Sequence, residues 1–372
     1  PLYWEKDSSL DLDYHIRHSD LPKPGRFRES FALVSRLHGT LLDRNRPLWE
    51  MHLIEGLPDR QFAVYAKFHH AALDGVGTAH LLQSMWSTDP GGRIHYSPLS
   101  MAARDRYVAS LGVDAPAERE LRNVAEALKA TFDSSANLLG ALRKYVGAWT
   151  GSGGSLVVPW QNVPHSAINT KVDGARRFVA QSWPFARIRA VGKELDGTFN
   201  DAVLAMSAGA LRTFLQNHGE LPRESLKSMV PVSLRRPGDM DSSNAIGAIS
   251  ADLATNIADP VKRFRAIKAS MEAGKDTFNN LSPSEAALFL QLTQLPALLL
   301  LPLGLASRFP PYSTVISNVP GPRQTMYWNG ARLEGIYPTS IVSEGIAMNI
   351  TLVTYDQQVH FGIMACRRSL PQ

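Results

Sequence analysis

Two adjacent histidines, His69 and His70, stand in the stretch KFHHAALDGVG, with Asp74 four positions after the second and Gly75 directly behind it. Neutral imidazole titrates near pH 6.5, so a histidine at the end of a strand, ahead of a glycine-bearing turn, can take a proton at cellular pH. A hydroxyl activated in this way attacks an ester or thioester carbonyl. Metal binding is the weaker reading. Histidines that share a metal stand at i and i+4 on a helix, whereas neighbours on a strand point to opposite faces. No cysteine cluster or H-E-x-x-H accompanies them. A Ser-His-Asp arrangement with Asp74 lacks a G-x-S-x-G elbow to carry its serine. An aspartate beside a glycine turn also suits pairing with an arginine. The motif alone leaves two readings open, a general base and a pair of structural histidines.

The elements around the pair must position it. RQFAVYAKFHH is rich in aromatic and β-branched residues and predicts a strand; WEMHLIEGL alternates like a second one. FRESFALVSRLHGTLLD carries helical spacing at Phe31, Val34, Leu37 and Leu41, and TAHLLQSMW predicts a helix after the glycines. The histidines therefore fall at a strand-to-helix junction. DPGG at Asp89 to Gly92 is a turn, and weaker helical patterns follow through LLGALRKYV. GSGGS at Gly151 to Ser155 predicts a linker.

The second part alternates again. RRFVAQSWPF predicts a strand and ARIRAVGKEL a helix. Asn200 and Asp201 open a long helix that Gly219 ends. SLKSMVPVSLR predicts a strand, DPVKRFRAIKASMEAGK a basic helix, YSTVISNVPGP a strand entering a proline-locked turn, and GIAMNITLVTYDQQVHFGIMACR a hairpin. No fixed-period repeat is visible.

The 372 residues are 44% hydrophobic and 20% charged, the balance of an ordinary globular protein with a sizeable core. The net charge of +5 fits an anionic ligand, a membrane surface or nucleic acid equally well. One cysteine, Cys366, allows no internal disulfide and points to a reducing compartment. The polar opening residues predict no signal peptide. LPALLLLPLGLA, Leu295 to Ala306, is about a dozen residues long against the roughly 20 that cross a bilayer, and reads as a buried or interfacial helix.

RPLWEMHLIEGL, HHAALDG, FNDAVLA, VPVSLRR, SNVPGP and YWNGARLEG follow one another in order across most of the chain. Together they resemble the bacterial wax ester synthase/diacylglycerol acyltransferase family of the CoA-dependent acyltransferase superfamily, and DLDYHIRHSDLPKPG fits as well. The resemblance implies an α/β fold of two chloramphenicol-acetyltransferase-like domains, residues 1–160 and 161–372, with the active-site tunnel at their interface. It makes His70 the general base, His69 a residue that shapes the site, and Asp74 the partner of a distant arginine, for which Arg235 is the candidate. Gly75 would let the turn close. Asn200 and Asp201 match the family's ND pair, although Asn200 also suits a helix N-cap. Asn318, in the NVPGP turn, is a candidate oxyanion donor. Pro47, Leu48 and Trp49 match a PLW motif of structural character.

The implied reaction moves a long-chain acyl group from acyl-CoA to a long-chain fatty alcohol or a diacylglycerol, with no cofactor, metal or acyl-enzyme. The implied setting is cytoplasmic and peripheral, at a membrane or lipid-droplet surface, with no nucleic acid. Leu295 to Ala306 and a stripe of Lys262, Arg265 and Lys268 are the expected lipid contacts. The family pattern also implies a strand and helix before Pro1 and a helix after Gln372. Two other classes compete: a condensation-type enzyme using a carrier-protein thioester, and a non-catalytic lipid-binding protein on the same scaffold.

Overall fold

A computed structural model describes residues 10–70, 85–93, 97, 100, 136–233, 246–279 and 281–370. In the N-terminal part a short helix α1 (Leu12–His15) runs straight into β1 (Ile16–Asp20). Helix α2 (Phe27–Gly39) follows, then β2 (Trp49–Glu55) and β3 (Ala63–Phe68). These strands form a three-stranded sheet in which β1 is parallel to β2 and β2 antiparallel to β3. The alternation along β2 turns Glu50, His52 and Ile54 inward. Only one of those three is apolar, which is unusual for the buried face of a strand.

The C-terminal part holds a six-stranded sheet of β4 (Arg176–Pro184), β5 (Lys227–Ser233), β6 (Ile246–Asp252), β7 (Thr314–Pro320), β10 (Met348–Tyr355) and β11 (Gln358–Cys366). Its order is β4-β11-β10-β7-β5-β6; β10–β7 and β5–β7 are parallel and the other pairs antiparallel. A two-stranded ribbon, β8 (Tyr327–Trp328) with β9 (Ala331–Arg332), stands apart.

The main core lies between this sheet and the helices α3 (Ala136–Trp149), α5 (Phe199–Asn217) and α6 (Pro260–Phe278). Leu204 and Leu215 of α5 and Ile267 and Met271 of α6 are wholly buried against Val230, Ile316 and Leu352. Each such side chain is worth roughly 1.5–3 kcal/mol relative to exposure. A second core joins the two parts: Leu21, Val34, Ile54 and Tyr65 pack with Phe178, Val342 and Met364. There α2 lies along β4, with Phe31 edge-on to Phe178 at 5.4 Å and the Phe178 N–H donating to Ser35 Oγ at 2.8 Å.

Several expectations are corrected. The helix opened by the ND pair starts earlier: Thr198 is its N-cap, because its hydroxyl accepts from the Asp201 N–H, so Asn200 and Asp201 lie inside the first turn. Its end is as expected. Gly219 (φ +70°) follows the cap; its N–H donates to Gln216 O and that of Glu220 to Leu215 O, the paired bonds of a glycine-ended helix. Leu295 to Ala306, expected as a buried or interfacial helix, is not one continuous helix. A six-residue helix α8 (Leu295–Leu300) stops before Pro302, which lacks an N–H to continue it, and Leu295, Leu301 and Leu303 face solvent.

GSGGS is not an extended spacer, since the Ser152 N–H folds back onto Gly147 O at the end of α3. Strand β6 and helix α7 (Pro283–Thr293) had no counterpart in the sequence reading. Residues 78–84 of TAHLLQSMW lie outside the described residues, and Met85 and Trp86 are not helical.

Candidate active site

Strand β3 ends at Phe68, and the two histidines follow at once. The His69 N–H donates to Leu48 O at 3.0 Å, and Phe68 pairs with Trp49 across the ladder. The fold therefore sets the PLW segment directly against the histidine pair. Trp49 is fixed from its other side by buried His15, whose ring stacks on it at 4.4 Å and whose Nδ1 donates to Trp49 O at 2.7 Å. His69 is half-buried and His70 exposed, so the second histidine offers its ring to whatever enters beside β3. Asp74, Gly75 and Arg235 lie outside the described residues.

Beneath the histidines the inward face of β3 carries Tyr65 and Lys67, and the register sets them opposite His52 and Glu50 of β2. The Lys67 ammonium is 2.5 Å from Glu50 Oε1 and donates to Leu37 O and Thr40 O, both at 2.8 Å. Leu37 lies in the last turn of α2 and Thr40 is its C-cap, so a cation whose side chain is 11% exposed meets the negative end of the helix. Burial would raise the Glu50 carboxyl, but its contacts with His52 and Lys67 hold it down at about 2. Lys67 is the effective partner, because His52 Nε2, at 3.7 Å, is beyond hydrogen-bond range. His38 of α2 donates from Nε2 to Ser340 O at 3.0 Å and so accepts from the Tyr65 hydroxyl at Nδ1, 2.9 Å away. Burial pushes His38 down to about 4; the Ser340 bond works against this, and the charges of Lys67 and Arg176 add to it. Burial, then the Glu50 charge, raises the Tyr65 phenol.

Within the ND pair Asp201 caps its helix through Oδ2, while its buried Oδ1 has no partner among the described residues. Asp201 is 3% exposed, and its Oδ2 accepts from Thr198 N at 2.8 Å and Thr198 Oγ1 at 2.7 Å, closing a reciprocal cap. Asn200 sits half-buried in the same turn. Asn318 lies in β7 opposite Leu352 of β10; its Oδ1 is buried and has no partner among the described residues.

A depression of about 390 Å³ opens where helix α4 (Phe185–Glu194) meets the tip of the β10–β11 hairpin. Arg189, Lys193 and Arg323 line it together with Asp356, whose carboxylate accepts from Thr325 Oγ1 at 3.2 Å. Among the described residues none of the three cations is in an ion pair. The pocket gathers two sequence motifs. Phe185, on its wall, packs on Phe199 beside the ND pair at 4.9 Å, and the Asp356 N–H donates to Pro322 O, the last residue of NVPGP, at 2.9 Å. Sequence reasoning missed this pocket, although Arg189 and Lys193 stand at i and i+4 on a predicted helix and Arg323 directly follows the motif. Among the described residues no cluster of three or more metal-ligating side chains occurs.

The two-part α/β architecture defines a class. The first condensation domain of the calcium-dependent antibiotic synthetase shares the fold, with a TM-score of 0.52 at 14% identity, over 95% of this chain and 72% of that one. A wax ester synthase/diacylglycerol acyltransferase from Marinobacter aquaeolei VT8 superposes far better, with a TM-score of 0.75 at 38% identity, over 99% of this chain and 78% of the other. An Acinetobacter baylyi protein named O-acyltransferase WSD is 37% identical over all of this chain and 80% of its own length. A Mycobacterium tuberculosis relative whose name places it among diacylglycerol O-acyltransferases is 43% identical with the same coverage. The family model for the wax ester synthase/diacylglycerol acyltransferase catalytic domain matches residues 1–203, and that for the WS/DGAT C-terminal domain matches residues 242–372. The chain belongs to the wax ester synthase/diacylglycerol acyltransferase family, and its chemistry is O-acyl transfer.

Proposed function

We propose that this chain moves a long-chain acyl group from acyl-CoA to the hydroxyl of a long-chain fatty alcohol or a diacylglycerol, with His70 as the general base. The observation that carries this reading is an exposed His70 at the end of β3, directly after the PLW rung, within the segment that matches the family's catalytic domain. His70 takes the proton as the hydroxyl oxygen attacks the thioester carbonyl. The tetrahedral oxyanion then collapses, and the departing CoA thiolate receives the proton from His70. Both substrates are held together, so no acyl-enzyme and no cofactor is needed. His69 shapes the site, an Asp74–Arg235 pair fixes the loop that Gly75 closes, and Asn318 donates to the oxyanion. Residues 1–160 and 161–372 supply the two walls.

The basic pocket supports the donor assignment. Arg189, Lys193 and Arg323 suit the phosphates of CoA. The pocket lies at the Pro184 end of β4, whereas the end of α2, which Lys67 grips, lies against Gly174 just before Arg176.

No helix among the described residues is long and apolar enough to cross a membrane. An apolar face nonetheless favours peripheral contact with a lipid surface. Leu139, Val146 and Trp149 of α3 are exposed, as are Leu295, Leu301 and Leu303. Gln161 bonds Ala148 O and Trp149 O, and its neighbour Trp160 bonds Thr293 O, which ties the two stretches together. The basic stripe contributes less than its spacing suggests, because Lys268 is paired with Asp196 at 3.2 Å.

The test is labelled palmitoyl-CoA with hexadecanol or a diacylglycerol. Labelled wax ester or triacylglycerol should form with the wild type and fall sharply with His70→Ala. Lipid binding without any product, or product only from a carrier-bound acyl group, overturns the reading.

A further inference from the structure

The inward face of β2 and β3 raises a question that packing does not answer. Glu50, His52, Tyr65 and Lys67 fill a space between sheet and helix where apolar side chains would serve. A buried ion pair is commonly no more stabilising than a well-packed apolar pair of similar volume. What Lys67 provides instead is a connection. Its three contacts join β2 (Glu50) to the last carbonyls of α2 (Leu37 and Thr40) from a position two residues before His69. Glu50 in turn follows Trp49, whose neighbour Leu48 accepts the His69 N–H. Helix α2 is itself anchored to the C-terminal part, through Ser35 on β4 and His38 on Ser340. An unbroken line of contacts thus runs from the C-terminal sheet through α2 and Lys67 to the histidine pair.

We infer that Lys67 and Glu50 are positioning residues, which hold the end of β3, and with it His69 and His70, at a fixed place against the C-terminal part. The inference rests on the reading of His70 as general base. A misplacement of about 1 Å in a reacting group costs on the order of 10²-fold in rate. Neither residue need touch substrate to have that effect.

The experiment compares the single variants Lys67→Met and Glu50→Gln with the double variant Glu50→Leu/Lys67→Met. Unfolding midpoint, kcat and KM for palmitoyl-CoA are measured beside His70→Ala. Each single variant leaves one buried charge without its partner and can fail to fold. The double variant removes both charges and keeps the volume filled. It should melt at or above the wild-type temperature, yet lose about 10- to 100-fold in kcat with KM changed less than about threefold. Stability and turnover moving in opposite directions is a result that a merely structural role does not give. A stable double variant with wild-type kcat overturns the inference while an inactive His70→Ala leaves the base intact. An active His70→Ala removes the base assignment and the positioning role together.

Discussion

Replacing Asp201 by alanine separates two meanings of the ND pair. The Asp201 carboxylate accepts from Thr198 N at 2.8 Å and Thr198 Oγ1 at 2.7 Å, at the start of a nineteen-residue helix that carries much of the main core. A hydrogen bond to a charged group is worth about 1.5–3 kcal/mol, a lost N-terminal cap about 0.5–2, and a carboxylate in the first helical turn about 0.3–1. These overlap, so Asp201→Ala should cost about 3 kcal/mol, or roughly 4 °C for a chain of 372 residues. Asp201→Asn keeps one oxygen for Thr198 and should cost about 1 kcal/mol. Thermal and urea unfolding of both variants, with ester synthesis measured well below the transition, reads the result. If the cap is the whole role, the folded fraction of each variant keeps near-normal turnover. An Asp201→Asn protein as stable as the wild type but inactive would refute the architectural reading and make the carboxylate a reacting group.

His70→Ala should leave the unfolding midpoint unchanged and lower ester synthesis about 10²- to 10⁴-fold, read with labelled acyl-CoA. Acid should unfold the protein in two steps of the same sign. His38 is held at about 4, below its ordinary value, so the stability it contributes is complete above about pH 6.5 and falls as the pH drops toward 4; Glu50, held at about 2, adds a second loss from about pH 4.5 downward. Urea midpoints against pH should therefore flatten between pH 6.5 and 4 in His38→Gln, and an unchanged slope would show that His38 does not carry the upper step. Gly25→Ala should destabilise by about 2–4 kcal/mol in urea, because the residue has φ +71° and a Cβ there would meet Gly56 O. Replacing Leu301, Leu303 and Trp149 by serine should weaken binding to lipid vesicles while leaving turnover on dispersed substrates, and vesicle binding that ignores these changes would argue against the apolar face.

Short-range signals carried most of the fold. The strand-to-histidine junction, the α2 spacing through Leu37 (but not Leu41, which lies past the helix end and is exposed), the glycine-ended helix and the C-terminal hairpin were legible, because each rests on periodicity or turn chemistry within a few residues. Strand β6 was not, since IGAISAD is small and weakly alternating and becomes a strand only by pairing with β5. Thr198 does not stand out in the sequence as the helix cap, because Asn200 and Asp201 are equally good cap types and only geometry decides among them. The histidine pair announced itself as a motif. Lys67 did not, because one lysine in a strand gives no sign of the helix end that it grips. The pocket of Arg189, Lys193 and Arg323 joins residues more than a hundred positions apart, which no local pattern reveals.

The Phe178 N–H that ends on Ser35 Oγ belongs to β4, the outermost strand of the six-stranded sheet. An outer strand with free donors and acceptors is a template on which another chain can add itself. Here α2 lies along it, and at the opposite margin Val157 bridges to Ser250 of β6. Both margins are thus touched by segments that precede the sheet in the chain and leave the ribosome before it, α2 along β4 and a single bridge at β6. A C-terminal fragment expressed without them would present both open margins, with Val179 and Trp183 exposed on β4 even in the intact protein. Such a fragment should self-associate into β-rich aggregates rather than fold as an independent half-enzyme, and supplying residues 1–175 in trans should suppress that aggregation.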